Sequence, residues 1–351
     1  MALNTTAPCS ETGRGLGDLM RIGLVLGILG FLVAAPWLLG RSDLRLATEI
    51  LLYLSLATLW NLLAGYVGLV SIGQQAFVGI GGYALFGLVI LAGVPPLWAI
   101  PFVVALSACA AAGMAPLLFR LKGHYFTIGT WVMAEILRVA FAQVSALGGG
   151  SGTSLPIASV RSIAASRPQI EMVIYFLAAA TALACVAGSF LLLRSRVGLA
   201  LRAIRDNAEA AGGIGIGIKR IKWATYVGVA AMTALVGALI FLQKIRISPD
   251  AAFAINDWTA LVIFMVVMGG IGRIEGPILG TLVFFLLREN LADLGSWYLI
   301  LLGLVSIATM LVAPKGLYGL LEAKTGLHLF QVRRDMPGAP TSKDLNERTE
   351  R

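Results

Sequence analysis

Reactive side chains are scarce in this sequence, and their spacing excludes most catalysis. The dipeptide Gly-Lys occurs nowhere, so the phosphate-cradling pattern G-x-x-x-x-G-K-[ST] fails outright. The runs Gly148-Gly149-Gly150-Ser151-Gly152 and Gly213-Ile214-Gly215-Ile216-Gly217 are glycine-rich, but neither follows a strand within a βαβ unit, as dinucleotide binding requires. His124 and His328 are the only histidines, and with Cys9, Cys109 and Cys185 they offer neither zinc spacing nor a pairing pattern. No Ser/His/Asp set and no paired carboxylates stand out. What remains is an acid and a base one helical turn apart, Glu135 and Arg138, inside an apolar run. At i,i+3 they share a helix face and neutralise each other. The favoured reading is a structural pair turned toward the interior of a bundle, because a lone charge in hydrocarbon is costly; a proton or substrate role is the alternative. Uncharged polar groups gather at Ser71, Gln74 and Gln75, and at Thr127 and Thr130. They suit a path for a small polar or zwitterionic solute, or the ends of broken helices.

A second kind of chemistry, docking, is written into Gly198–Gly217, GLALRAIRDNAEAAGGIGIG. It carries Arg202, Arg205, Asp206, Asn207 and Glu209 between long apolar runs, with Arg194, Arg196, Lys219, Arg220 and Lys222 just outside it. Such a charged stretch belongs in water. Its small residues, Ala208, Ala210, Ala211, Gly212 and Gly213, permit close approach by another protein. It reads as the surface on which a membrane protein meets a cytoplasmic partner, against the plainer reading of a solvated interfacial helix.

The elements that must position these groups are transmembrane helices. Of the 351 residues 58% are hydrophobic and 13% charged, with a mean hydropathy of +0.87, whereas soluble domains carry about 25% charged residues. The 41 glycines suit close helix packing in lipid. The net charge of +9 does not point to nucleic acid, because the basic residues fall in short loops between apolar runs. Windows of about 20 apolar residues predict roughly ten spans, over 21–40, 46–64, 76–93, 97–119, 125–145, 171–193, 223–243, 258–270, 277–289 and 296–313. The fold class is therefore an all-α polytopic membrane protein. Arg14 and Arg21 before the run Ile22–Leu39 mimic a signal peptide, but the run's length and the spans after it favour an uncleaved first helix. Cys109 and Cys185 lie in apolar runs and are expected to be buried. Two places predict interrupted helices: Gly65–Gln75, and Gly269-Gly270-Ile271-Gly272 followed by Gly276-Pro277.

Placing the N-terminus inside and alternating puts Arg14, Arg21, Arg120, Lys122, the basic residues of 194–222, Arg273, Lys315 and Lys324 in inner loops. The outer loops keep Arg41, Arg45, Arg161, Arg167, Lys244 and Arg246, the smaller share, as the positive-inside rule requires. Both termini are then cytoplasmic. The organisation is a cytoplasmic segment 1–20, a membrane domain 21–320 with a cytoplasmic loop at 194–222, and a polar cytoplasmic tail 321–351 expected to be disordered. Ten spans with both ends inside permit a five-plus-five inverted repeat.

Several motifs occur in an order that resembles the branched-chain amino-acid ABC-transporter permeases of the LivM type. NLLAGYVGLVSIGQQAFVGIGGYA at Asn61–Ala84 is similar to that family's G-x-x-S-x-G-x-x-x-F-x-G-x-G-A-Y element, with Gly82 in place of the usual alanine. RLKGHYFTIGTWVMAEILR at Arg120–Arg138 is similar to its R-L-x-G-x-Y-F-x-I-x-T-x-x-x-A-E-I-x-R, with His124 in place of proline. GGGSGTSLP at Gly148–Pro156 resembles its outer glycine loop, without the typical Asp-Gly. ISPDAAFAINDW, MGGIGRIEGPILG and APKGLYGL resemble the later elements. The resemblance implies a permease subunit that forms, with a second permease chain, the path for a small amino acid in a bacterial inner membrane. An external solute-binding protein would deliver that solute, branched-chain amino acids first, with urea, amides and aromatic acids as alternatives. Two cytoplasmic ATPase subunits would consume ATP, this chain binding no cofactor and being no enzyme. Arg202, Arg205, Asn207, Glu209, Ala210, Ala211 and Gly213 would lie in the coupling helix, Glu209-Ala210-Ala211 matching the core of its EAA motif. Ser71, Gln74, Gln75, Thr127, Thr130, Glu135, Gly269 and Gly270 are the candidates for the path. An ion-coupled carrier or channel is the alternative from another class, and a membrane-embedded enzyme is disfavoured by the absence of catalytic clusters.

Overall fold

A computed structural model describes residues 23, 26, 27, 29–164, 166–291, 297–312 and 316–325. The expectations for 1–20, for the tail beyond 325, and for Cys9, His328, Arg14, Arg21 and Lys315 lie outside the described residues. Eight helices are long and apolar enough to cross a membrane. They are Arg41–Val67, Gln74–Leu91, Pro96–Leu118, His124–Ala142, Arg167–Arg194, Ile218–Lys244, Pro249–Gly269 and a window over Gly303–Leu320. Among the described residues the first expected span is represented by the apolar helix α1 (Leu29–Leu38), and the ninth by α13 (Glu275–Leu291).

Three helices form the centre. These are α2 (Arg41–Asn61), α3 (Gln74–Leu91) and α10 (Ile218–Lys244). Their residues Leu52, Leu56, Tyr83, Phe86, Leu239 and Phe241 are almost wholly buried. Between α3 and α10 glycine sets the spacing. A Cβ at Gly81 would stand 1.9 Å from the Ala234 carbonyl oxygen, and one at Gly237 would stand 2.3 Å from that of Val78. Two backbones meet there, as small residues allow in lipid. The outer helices α4 (Pro96–Leu118), α5 (His124–Ala142) and α7 (Arg167–Arg194) show most of their apolar surface outward, as lipid or a partner would require. On α4 the inward row is Ala99, Val103, Ser107, Ala111 and Ala115, repeating every fourth residue. Cys109 is off that row and exposed, contrary to expectation, while Cys185 is buried as expected.

Polar contacts divide the bundle into two ends. At one end Arg45 pairs with Glu171, Glu49 with Arg288 at 2.8 Å, and Gln243 donates to the Arg45 carbonyl. A short antiparallel ladder there joins β1 (Thr153–Ser154) to β2 (Arg246–Ile247), with Thr153 opposite Ile247. At the other end lie α8 (Arg196–Asp206) and α9 (Ala208–Gly213), the start of α10, and the Arg273–Glu322 pair, Glu322 belonging to α15 (Gly316–Thr325). Arg45, Arg161 on α6 (Ile157–Arg161), Arg167 and Arg246, expected outside, therefore gather at the first end, and the basic residues of 194–222 and Arg273, expected inside, at the second.

Candidate translocation face and coupling segment

Both predicted interruptions are present, and they meet. After Asn61 the helix widens into a π-turn, Leu62–Val67, and stops at Gly68, whose φ of 75° is left-handed. Helix α12 (Leu261–Gly269) ends before Gly270 and Gly272, with φ of 123° and 77°. Gly65 and Gly272 are in backbone contact, since a Cβ on Gly65 would fall 2.6 Å from the Gly272 nitrogen. Interrupted backbone inside a membrane leaves polar groups that must find partners. Asn61 supplies two: its Oδ1 accepts from the Gly272 N–H at 2.8 Å, and its Nδ2 donates to the Arg273 carbonyl at 2.7 Å. Asn61 opens the NLLAGYVGLVSIGQQ stretch and has no role in the sequence reading; the signal was an amide inside an apolar run.

Most expected path residues also serve this backbone. Thr127 Oγ1 donates to the Val70 carbonyl at 2.8 Å. Thr130 Oγ1 accepts from the Ile72 N–H at 3.2 Å and donates to the Thr127 carbonyl at 2.8 Å. Ser71 Oγ accepts from the Gly73 N–H at 3.2 Å, and Trp60 Nε1 donates to the Ser71 carbonyl. Gln75 Oε1 accepts from Thr259 Oγ1, a residue that the sequence did not single out. Gln74 Nε2 donates to the Leu56 carbonyl at 3.0 Å, while its Oε1 is buried without a partner beside a void of about 20 Å³, room for one water. Ser71, Gln74, Gln75 and Thr130 are all buried.

Glu135 and Arg138 do pair, at 2.6 Å, but not toward the bundle interior as expected. The inward row of α5 is Phe126, Thr130 and Ala134, and the backbone of Gly73 comes so close to Thr130 that a Cβ there would stand 2.2 Å from its carbonyl oxygen. That face has no room for a charged pair. Glu135, 49% exposed, instead stands in the outward stripe Ile128, Trp131, Val132, Glu135, Ile136 and Val139. A shallow cavity of about 360 Å³ opens over the last five of these. Arg138 also reaches Asp250 at 2.6 Å, on α11 (Pro249–Ala252), an acid the sequence reading did not assign.

The 194–222 segment is two helices rather than one. Ser195 caps α8, accepting from the Gly198 N–H at 3.4 Å. Asn207, extended at φ −154°, ends α8, and its Oδ1 caps α9 from the Ala210 N–H at 3.0 Å. Lys219, Arg220 and Lys222 belong to the first turns of α10. Gly198, Leu201, Ile204 and Ala211 face the bundle, while Glu209, Ala210 and Gly213 are exposed and Arg202 is half-buried. Arg205 ties this segment to the interrupted helices. Its Nη1 donates to the Gly65 carbonyl at 2.8 Å, its Nη2 pairs with Asp206, and its Cγ lies 3.5 Å from where a Gly68 Cβ would be. One guanidinium thus joins the exposed helix pair to the joined interruptions. Among the described residues no group of His, Cys, Asp and Glu could hold a metal ion.

Comparison with known proteins is consistent with this architecture. Residues 44–314 match the family described as "Branched-chain amino acid transport system / permease component". The chain is 26% identical over 317 residues to the high-affinity branched-chain amino acid transport system permease protein LivM of Salmonella typhimurium, covering 84% of this chain and 74% of that one. The Escherichia coli K12 LivM is 25% identical over the same shares. The corresponding LivH protein of Salmonella typhimurium is 25% identical over 296 residues, 76% of this chain and 91% of that one. No solved structure matches.

Proposed function

This chain belongs to the family of branched-chain amino acid transport system permease components, and on that premise we propose that it is the membrane-spanning subunit of an ABC importer for small aliphatic amino acids. A second permease chain of the same family faces α5, and the path runs along the stripe centred on Glu135. An external binding protein delivers the solute, and of two cytoplasmic ATPases that hydrolyse the ATP one docks on α8 and α9 of this chain. Both termini are cytoplasmic. The observation that carries this reading is the exposed α8–α9 pair, fastened by Arg205 to Gly65 at the junction of two interrupted helices. Force applied to α8–α9 reaches the interruptions directly, where the chain departs from continuous helix.

The test is reconstitution of the chain in proteoliposomes with its genomic neighbours, a second permease, ATPase and binding protein. Uptake of L-leucine that needs ATP and the binding protein is expected. Uptake by the chain alone under an ion gradient would replace the importer with a secondary carrier, and ATP-driven uptake of urea or phenylalanine in preference to leucine would move the substrate class.

A further inference from the structure

Two glycine-bearing motifs of the sequence, MGGIGRIEGPILG and APKGLYGL, meet at the α8–α9 end of the bundle. The second runs into α15, which packs on α12, α13 and α14 (Trp297–Val312). Gly316 opens α15 at a left-handed φ of 75°, and a Cβ there would stand 2.4 Å from the Gly270 Cα. The turn beneath is closed as tightly, since a Cβ on Gly276 would stand 2.1 Å from the Gly270 carbonyl oxygen. Gly269 and Gly270 are both buried there. Arg273 carries the rest of the contact. Its carbonyl accepts from Asn61 Nδ2 at 2.7 Å, across the two interruptions. Its side chain pairs with Glu322 of α15, and its guanidinium carbon lies 5.6 Å from the centre of the Tyr318 ring. Tyr318 is buried, and the Arg273 and Glu322 side chains are 28% and 23% exposed. A pair so covered is less screened by salt than one at the surface. One residue earlier, a Cβ on Gly272 would stand 3.6 Å from Arg205 Nη1. Arg273 thus ties α15 to the place where α8 is fastened.

The junction of interruptions is therefore gripped by two elements at the same end of the bundle, α8 through Arg205 and α15 through Gly316, Tyr318 and Glu322. Movement imposed on α8 shifts the second interruption only as far as α15 travels with it or releases it. We propose that α15 is a clamp on the second interruption, and that the Arg273–Glu322 pair sets how readily the junction yields when α8 and α9 are driven. The coupling half of this rests on the docking of an ATPase on α8 and α9 proposed above; the clamp itself does not. Arg273 and Glu322 act through Gly270–Gly272 and are positioning residues. With the pair intact, the interruption holds its resting shape until the ATPase and the delivered solute both act on the chain. With it broken, the junction gives way to the ATPase alone, and ATP is hydrolysed without transport.

The clamp is tested on the full chain alone in nanodiscs, by hydrogen exchange of the 268–276 backbone. Glu322→Gln and Arg273→Gln should each speed exchange there by about tenfold, the loss of one hydrogen bond between charged groups. Exchange in α4 should stay as in the wild type, which shows the bundle folded. Arg273→Lys, which keeps the charge, should stay closer to the wild type than Arg273→Gln does. The double variant Arg273→Gln/Glu322→Gln should be no faster than the faster single one, because both remove the same pair. Unchanged exchange at 268–276 in Glu322→Gln, or single effects that multiply in the double variant, overturns the clamp. Faster exchange that spreads to α4 means a structural role only and overturns it as well. Coupling is tested with the same variants assembled with the second permease, ATPase and binding protein. Hydrolysis without binding protein should rise by up to about tenfold, the same shift of population, and the solute taken up per ATP should fall. Faster exchange at 268–276 with hydrolysis and uptake both as in the wild type overturns the coupling role. An assembly whose wild type shows no ATP-driven uptake removes the importer reading instead, and the exchange result on the chain alone still decides the clamp.

Discussion

At the scale of single residues, the interruptions stand because a few polar side chains replace lost helix hydrogen bonds. Asn61 has the strongest claim, since one amide serves a donor and an acceptor on the opposite interruption. Asn61→Leu should leave the Gly272 N–H and the Arg273 carbonyl unpaired in a partly buried place, at roughly 1–3 kcal/mol for each group. Thermal unfolding in detergent should show a clear fall, and Asn61→Asp, which keeps only the acceptor, should fall between. An unchanged midpoint for Asn61→Leu would mean that water already serves those groups. Glu135, Arg138 and Asp250 behave as a set. Glu135→Leu strands Arg138 with one partner, and Arg138→Leu strands Glu135 in an apolar stripe, whereas the double substitution leaves only Asp250, which is 80% exposed. The single variants should therefore lower folded yield more than the double variant does. A well-folded double variant that is dead in uptake would move the pair from structure to pathway. The i,i+3 spacing made the Glu135–Arg138 pairing readable from sequence. Its outward direction was not, because that depends on how closely Gly73 approaches Thr130, and its third member lies 112 positions away.

At the scale of elements, α8 and α9 show where local signals sufficed and where they did not. Charge and small side chains marked 194–222 as a contact surface, and the pattern placed it outside the spans. The break at Asn207 was also encoded, as an Asn ahead of an Ala-rich turn is a helix N-cap signature. Which alanine faces outward was not, because that is fixed by the docking of α8 through Leu201 and Ile204. The structure separates two neighbours of equal size. Ala210 is exposed, and Ala211 is 3% exposed against its own chain. Ala211→Trp should overpack this chain, costing about 1–3 kcal/mol, and lower folded yield. Ala210→Trp and Glu209→Lys should leave yield and unfolding unchanged while weakening co-purification with the ATPase or uncoupling its hydrolysis from uptake. Wild-type docking and coupling in both exposed variants would remove α9 as the coupling element. Arg205 extends the same contrast: its partner Gly65 is 140 positions distant, so no local pattern could have named it.

At the scale of the whole molecule, two sets of long-range contacts fix which loops share an end. Arg45 with Glu171, Glu49 with Arg288, and the β1–β2 ladder bring residues near 45, 154, 171, 246 and 288 together. Arg205 with Gly65, and Asn61 with Gly272 and Arg273, gather those near 65, 205 and 272 at the other end. Charge counting in the sequence divided the loops in the same way, because the positive-inside bias is a property of loops and needs no knowledge of helix packing. Where helices stop was less legible. A hydropathy window sees length and polarity, whereas the π-turn Leu62–Val67 with left-handed Gly68 ends the helix that begins at Arg41, and Gly270, at positive φ, ends α12. The two ends give a sharp labelling prediction. In a background lacking Cys9, Cys109 and Cys185, a cysteine at Ser154 should react with an impermeant maleimide from outside intact cells, and one at Ala208 only after the membrane is opened. Cys109 must go, because it is exposed on α4. Since Ser154 is tied to β2 at one end and Ala208 follows α8 at the other, labelling of both from the same side would contradict the bundle itself, while exchange of the two sides would keep the bundle and invert it in the membrane. An inverted bundle would leave α8 and α9 facing away from ATP, and the importer reading would fall with it.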